Sequence, residues 1–252
     1  MKATTYSLSL VMAAAALLMF SAPIYASKAD DRIESSAKQS YLFKTYLKND
    51  DIKIESKNGA VTLTGTVAQE YHKSIAEETV SGLPGVKSVD NRLEIKGEVL
   101  TANSDAWLRE KIKMTLMFHR SVSAVNTEVD VLDGNVTLRG NAGSQAQKDL
   151  TAEYAKDVDG IKTVTNEMAV LKTSNKPRTV GEKIDDASIT AQVKMTLLYH
   201  RSTSAIHTSV STKNGLVTLR GKAANAAESN LAGKLANDVT GVKGVKNRMT
   251  IE

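Results

Sequence analysis

The sequence predicts an α+β protein of three tandem αββαβ modules, each a small three-stranded mixed sheet with two helices on one face. Three observations predict it. A hairpin motif recurs, as NGAVTLTG from Asn58 to Gly65, DGNVTLRG from Asp133 to Gly140 and NGLVTLRG from Asn214 to Gly221. Another glycine follows each copy at one fixed distance (Gly85, Gly160, Gly241), and an asparagine lies six residues further on (Asn91, Asn166, Asn247). Apolar stripes of helical spacing stand on both sides of each hairpin. The cores align without a gap over 33–96, 108–171 and 189–252, with repeats 2 and 3 the more alike pair. A period this long gives each copy room for its own core, unlike the short units of a helical solenoid.

The elements follow in chain order. Lys2 is the only charge before Lys28, and Leu10 to Phe20 is an unbroken apolar run, followed by Pro23 and Ala26. The run is shorter than the ~20 residues of a membrane span and fits the apolar stretch of an export signal. Residues 1–26 are expected to be a cleaved signal peptide, leaving Ser27 as the mature N-terminus. The three modules then occupy 27–97, 104–172 and 185–252.

Each module reads alike. Leu108, Ile112 and Leu116, like Ile189, Val193 and Leu197, form one apolar helix stripe. Asp30, Asp105 and Asp186 stand just before these stripes, where a carboxylate caps free N–H groups. The Asn-Gly or Asp-Gly pair at 58–59, 133–134 and 214–215 suits the positive φ angles of a type I′ hairpin turn. Ser144 with Gln147, and Asn225 with Glu228, are capping pairs for a second helix. Its stripes are Leu150, Tyr154, Val158 and Leu231, Leu235, Val239. Gly85, Gly160 and Gly241 are expected to end it in the left-handed conformation. The last strand alternates, as in Val245, Asn247, Met249 and Ile251. Two helices cover one sheet face, so the other is open to water or a partner.

The Asn/Asp-Gly-x-Val-Thr-Leu-x-Gly hairpin, the following glycine and the x-Val-x-Asn strand resemble the BON domain, named for bacterial osmotically inducible and nodulation proteins. The resemblance covers nearly all of the chain beyond residue 26. It implies a periplasmic location, interaction with phospholipid or the envelope, protection during osmotic stress and, in some members, a chaperone-like role.

Composition narrows the chemistry. Among 252 residues, 41% are hydrophobic and 24% charged, as in a globular protein. The absence of cysteine excludes disulfides, a thiol nucleophile, a thiolate metal site and a lipidated N-terminal cysteine, so an exported product would be soluble and not a lipoprotein. No nucleophile, base and orienting group cluster or recur, so the chain is expected to be no enzyme and to hold no metal or cofactor. His119 and His200 share the pattern His-Arg-Ser-x-Ser-Ala after the first helix of repeats 2 and 3; a basic pair near a helix C-terminus accounts for them. Lys38, Lys113 and Lys194 read as solvated helix lysines, and Asn91, Asn166 and Asn247 as structural hydrogen-bonding groups.

Sorting the strand residues by face gives a sharper clue. In repeat 3 the open face comprises Ser209, Ser211, Lys213, Thr218, Arg220, Lys222, Lys246, Arg248 and Thr250, with five positive charges and no negative one. In repeat 2 that face has Glu128, Asp130, Glu167 and Arg139; in repeat 1, Lys53, Lys57 and Arg92 balance Glu55, Asp90 and Glu94. The basic excess behind the formal charge of +5 therefore lies on one face of one module. Lys213, Arg220, Lys222, Lys246 and Arg248 are the candidate contacts for an anionic phospholipid surface, held peripherally in a periplasmic, osmotic-stress role. Docking of this face on the acidic face of repeat 2 stays open, as do a holdase-type chaperone for unfolded envelope proteins and a small-ligand or ion-binding module. Nucleic acid is not expected, since the face has no aromatic stacking set. Oligomeric state is not legible.

Overall fold

The structure, a computed structural model, describes residues 23–97, 100–171, 183–203 and 208–251, so the expected signal segment lies outside the described residues up to residue 22. Repeat 1 runs α1 (Pro23–Gln39), α2 (Tyr41–Thr45), β1 (Asp51–Lys57), β2 (Ala60–Val67), α3 (Glu70–Ser81) and β3 (Ser88–Ile95). Repeat 2 runs α4 (Asp105–Phe118), β4 (Thr127–Leu132), β5 (Asn135–Ala142), α5 (Gln145–Lys156), β6 (Thr163–Asn166) and β7 (Ala169–Val170). Repeat 3 runs α6 (Asp186–Tyr199), β8 (Thr208–Lys213), β9 (Leu216–Ala223), α7 (Ala226–Asp238) and β10 (Gly244–Ile251). In each, the second strand is central: antiparallel to the first across the hairpin, parallel to the third across the helix. The αββαβ order and mixed sheet are as the sequence predicts. In repeat 2 the third strand breaks after Asn166 and resumes as β7.

The hairpin turns have the expected geometry. Asn58, Asp133 and Asn214 have φ of 56°, 52° and 54°, and the glycine after each is also positive. The aspartates do not cap the helices. Asp30 lies inside α1, and the caps of α4 and α6 are Ser104 and Asp185, which accept from the N–H groups of Trp107 and Ser188. Asp105 instead accepts from the Asp133 and Gly134 N–H groups at 2.8 and 2.9 Å, and Asp186 from Asn214 and Gly215 at 2.7 and 2.8 Å. Asp30 takes Asn58, Gly59 and the Ser56 hydroxyl. These bonds hold the Asp30 carboxyl below its ordinary range, the Ser56 hydroxyl contributing most, and do the same for Asp105, led by the Gly134 N–H. A helix is thereby pinned to its own hairpin turn in every repeat.

Gly85, Gly160 and Gly241 have φ of 94°, 95° and 93°, but they sit in the turn beyond the second helix and do not cap it. The turn they make lets the lysine two residues on donate to the hairpin glycine carbonyl: Lys87 to Gly59, Lys162 to Gly134 and Lys243 to Gly215 at 2.8–2.9 Å. Asn91, Asn166 and Asn247 do act structurally. Each donates to a carbonyl of its second helix, on Lys73, Lys148 and Ser229 at 2.7–3.1 Å.

Three apolar cores form, but repeat 1 does not keep its core to itself. Leu42, Leu63, Ile75 and Val80 pack with Met114 and Phe118 of α4 and with Ala187, Ala191 and Met195 of α6. The opposite stripe of α6, Ile189, Val193 and Leu197, covers its own sheet. A helix buried on two sides loses its polar face, and α6 carries no charge between Asp186 and Lys194. Lys194 is not simply solvated: it reaches Glu78 of α3 at 2.5 Å. Asp185 also accepts from the Tyr41 N–H at 2.7 Å, and Ser188 from Leu42, so repeat 3 satisfies the first N–H groups of α2.

Candidate functional site

Two places carry unusual chemistry. The first is the junction of repeats 2 and 3, where the His-Arg-Ser segments meet. His119 and His200 stand at the C-caps of α4 and α6, the helix ends where the sequence places them, and both are buried, at 1% and 9% exposed. Each follows its helix and enters the other repeat as a short antiparallel bridge, His119 against Val239 and His200 against Val158. The backbone bonds come in matched pairs. Arg120 donates to Asp238 and Arg201 to Asp157 at 3.0 and 2.9 Å; Thr240 donates to Phe118 and Asp159 to Tyr199. The Arg120 guanidinium caps the Val242 carbonyl at 3.2 Å, and that of Arg201 the Val158 and Ile161 carbonyls at 3.1 and 3.0 Å. All these partners are related by the 81-residue offset between repeats, so the contact is an isologous clasp inside one chain.

Its two halves are not identical: Phe118, Asp159 and Ile161 correspond to Tyr199, Thr240 and Val242, and the helices differ in a residue that changes the contact. Tyr154 of α5 stacks on His119 at 3.9 Å and donates to Asp238, whereas repeat 3 has Leu235 at that place. Burial alone would raise the Asp238 carboxyl, but the His119 imidazole 3.2 Å away and hydrogen bonds from Ser121 and Tyr154 hold it below its ordinary value. Burial pushes the His200 imidazole below its usual value, against the pull of Asp157 at 3.4 Å. The space between these groups is only about 10 Å³, and among the described residues no three histidine or acidic side chains group as a metal site.

The second place is the open sheet face, where the five candidate residues lie. Lys213, Arg220, Lys222, Lys246 and Arg248 are all exposed and alternate with the buried Val210, Val217, Leu219 and Ala223. Among the described residues none of the five belongs to an ion pair. Register places Arg220 beside Arg248, Thr218 beside Lys246 and Lys222 beside Thr250, with Ser209 and Ser211 on the far side of β9. Leu216 shares this face and is 58% exposed, a member that the sorting by charge passed over. On the matching face of repeat 2, which stays acidic, the arginine is taken up internally: Arg139 holds Asp130 at 2.5 Å and Glu167 at 2.9 Å. In repeat 1, Arg92 pairs with Asp90 at 2.6 Å. Repeats 2 and 3 meet through helix ends, so the basic face does not dock on the acidic face of repeat 2 within the chain.

An αββαβ module with a covered and an open sheet face, repeated three times, defines a class, and the chain belongs to the BON domain family, which it matches over residues 29–97, 104–172 and 185–252. Among individual proteins it is similar to Osmotically-inducible protein Y of Escherichia coli, at 31% identity over 55% of this chain and 71% of that protein. It is 32% identical to the outer membrane lipoprotein DolP of Haemophilus influenzae over 43% of this chain and 57% of that protein. A 21 kDa hemolysin of Actinobacillus pleuropneumoniae shows 30% identity over 45% of this chain and 59% of that protein. The chain thus spans little more than half the length of the latter two. Among the described residues no helix is long and apolar enough to cross a membrane.

Proposed function

We propose that this chain is a non-enzymatic, periplasmic protein of osmotic and envelope stress that attaches reversibly to anionic phospholipid surfaces through the open sheet face of repeat 3. The observation that carries this reading is the set of five exposed cations, Lys213, Arg220, Lys222, Lys246 and Arg248, with no carboxylate holding any of them among the described residues. A basic residue near an anionic membrane contributes on the order of 1 kcal/mol, so the face suffices for reversible attachment. Kinship with an osmotically inducible protein and an outer membrane lipoprotein supports the setting.

Flotation of the full chain with vesicles tests the reading. Wild type is expected to float with phosphatidylcholine vesicles containing phosphatidylglycerol, stay behind with pure phosphatidylcholine, and release as salt rises, because exposed charges are screened within about 10 Å at 0.1 M. Reversing Arg220, Lys222, Lys246 and Arg248 to glutamate should abolish binding. Reversing Lys53, Lys57 and Arg92 in repeat 1 should change little. Undiminished flotation of the repeat 3 variant would remove this face as the membrane site.

A further inference from the structure

The open face of repeat 3 holds something more specific than net charge. Arg220 on β9 and Arg248 on β10 are register partners on adjacent parallel strands, whose axes lie about 4.8 Å apart. Like charges directly opposite each other destabilise a sheet. Repeat 2 shows what an arginine at this place takes when the chain supplies its partners. Arg139, the counterpart of Arg220, binds two carboxylates, Asp130 and Glu167. Their counterparts in repeat 3 are Ser211 and Arg248, so the trio changes from a charge of −1 to +2, and the third strand, which breaks after Asn166 in repeat 2, runs unbroken past Arg248 in repeat 3.

Resting on the surface-binding reading above, we propose that Arg220 and Arg248 form a site for a phosphomonoester dianion. Two negative charges restore what the missing carboxylates supply in repeat 2. Each guanidinium offers a planar fork of N–H donors that matches phosphate oxygens. A phosphomonoester has three non-bridging oxygens and, above a second pKa near 6, close to two charges. It therefore accepts both forks at once. A phosphodiester has two such oxygens and one charge, enough for one fork. Ser209, opposite Arg220, and Ser211, one row along, bring hydroxyl donors to the same face, and Lys246 adds a third cation beside Thr218. The chemistry is shared by a lipid with a terminal phosphate headgroup and by free phosphate.

The test compares full-length protein on phosphatidylcholine vesicles carrying either phosphatidic acid or phosphatidylglycerol, adjusted to equal zeta potential. At pH 7.5 the phosphatidic acid vesicles are expected to bind about tenfold more tightly, the gain of roughly one extra charge-assisted hydrogen bond. The preference should shrink at pH 5.5, where the second proton returns. The Ser211→Asp/Arg248→Glu variant, which installs the trio that repeat 2 already folds with, should lose the preference. The reciprocal Asp130→Ser/Glu167→Arg variant should gain a second site. Inorganic phosphate titrated against the soluble protein distinguishes the sources. Amide shifts at 209–220 and 246–250 with displacement from vesicles point to free phosphate, and silence there points to the lipid ester. Equal binding to both lipids overturns the dianion site while leaving the surface reading intact. Binding to neither overturns both, and a preference that survives Ser211→Asp/Arg248→Glu overturns the assignment to this pair.

Discussion

Glu110 on α4 and Ala191 on α6 hold the same place in repeats 2 and 3, yet one is half-buried beside Lys113 and the other is fully buried against repeat 1. Arg109 and Thr190, and Arg139 and Arg220, repeat the contrast. The hairpin, its aspartate pin and the sheet register are common to both repeats, because they depend on contacts inside one module. The remaining residues follow what each place meets: a half-buried margin for Glu110, another repeat for Ala191, two carboxylates for Arg139, and an open face for Arg220. A single fold thus carries different roles by changing side chains that its own core never touches.

The sharpest way to break this comparison is to move a native residue across it. Ala191→Glu gives repeat 3 the side chain that repeat 2 carries at that place. It should cost about 3 kcal/mol or more, because a carboxylate would be buried in the core shared with Leu42, Ile75 and Met195 and could reach Lys194 only by competing with Glu78. Urea unfolding measures it, and a cost within about 0.5 kcal/mol, the range of a surface change, would mean that α6 does not pack on repeat 1.

The clasp offers a second contrast. Asp238 receives His119, Ser121 and Tyr154, whereas Asp157 has His200 as its side-chain partner. Asp238→Ala should therefore destabilise by about 2 kcal/mol and Asp157→Ala by about 1 kcal/mol, by the usual worth of hydrogen bonds to a charged group. Thermal denaturation of the two variants gives the order, and equal losses would show that the tyrosine adds nothing.

Acid sharpens the same asymmetry. Burial holds His200 below 6.5, with Asp157 pulling it up and Arg201 and His119 pushing it down. The unfolded chain then binds this proton more readily than the folded one. Stability is complete above pH 6.5 and falls as the pH drops through the lowered folded value. The Asp238 contribution persists over that window and is lost only below 3.8, since its folded value is also depressed. His200→Gln should flatten the stability profile just below pH 6.5, which chemical denaturation at a series of pH values records. The smallest effect belongs to the acidic face of repeat 2. Arg139→Ala should cost no more than about 1 kcal/mol, because both its ion pairs are exposed.

Legibility in the sequence followed the range of the contact. The type I′ turns, the alternating strands and the open face depend on neighbours along the chain or across one hairpin, and all were readable. The aspartate pins were misplaced as caps because their partners lie 28 residues away. The constant spacing of Asp30 to Asn58, Asp105 to Asp133 and Asp186 to Asn214 was the available signal. Leu150, placed on a buried stripe by its spacing, is 40% exposed, and Thr151 and Ala155 fill the contact instead. The clasp was hidden because each His-Arg-Ser segment meets another module, although its presence in repeats 2 and 3 and absence from repeat 1 marked those two as a pair. The loss of charge along α6 was a further sign, readable only against its charged counterpart α4.

The clasp also bears on the history of the chain. An isologous contact presents the same set of groups from both sides, so two unlinked copies of one ancestral module would already possess both halves of it. Joined in one polypeptide, the halves meet at an effective concentration in the millimolar range set by the linker, roughly independent of how dilute the protein becomes. Once the contact no longer depended on two identical copies, its sides were free to drift apart, and Tyr154 in the place of Leu235, like Phe118 in the place of Tyr199, is where that drift is visible.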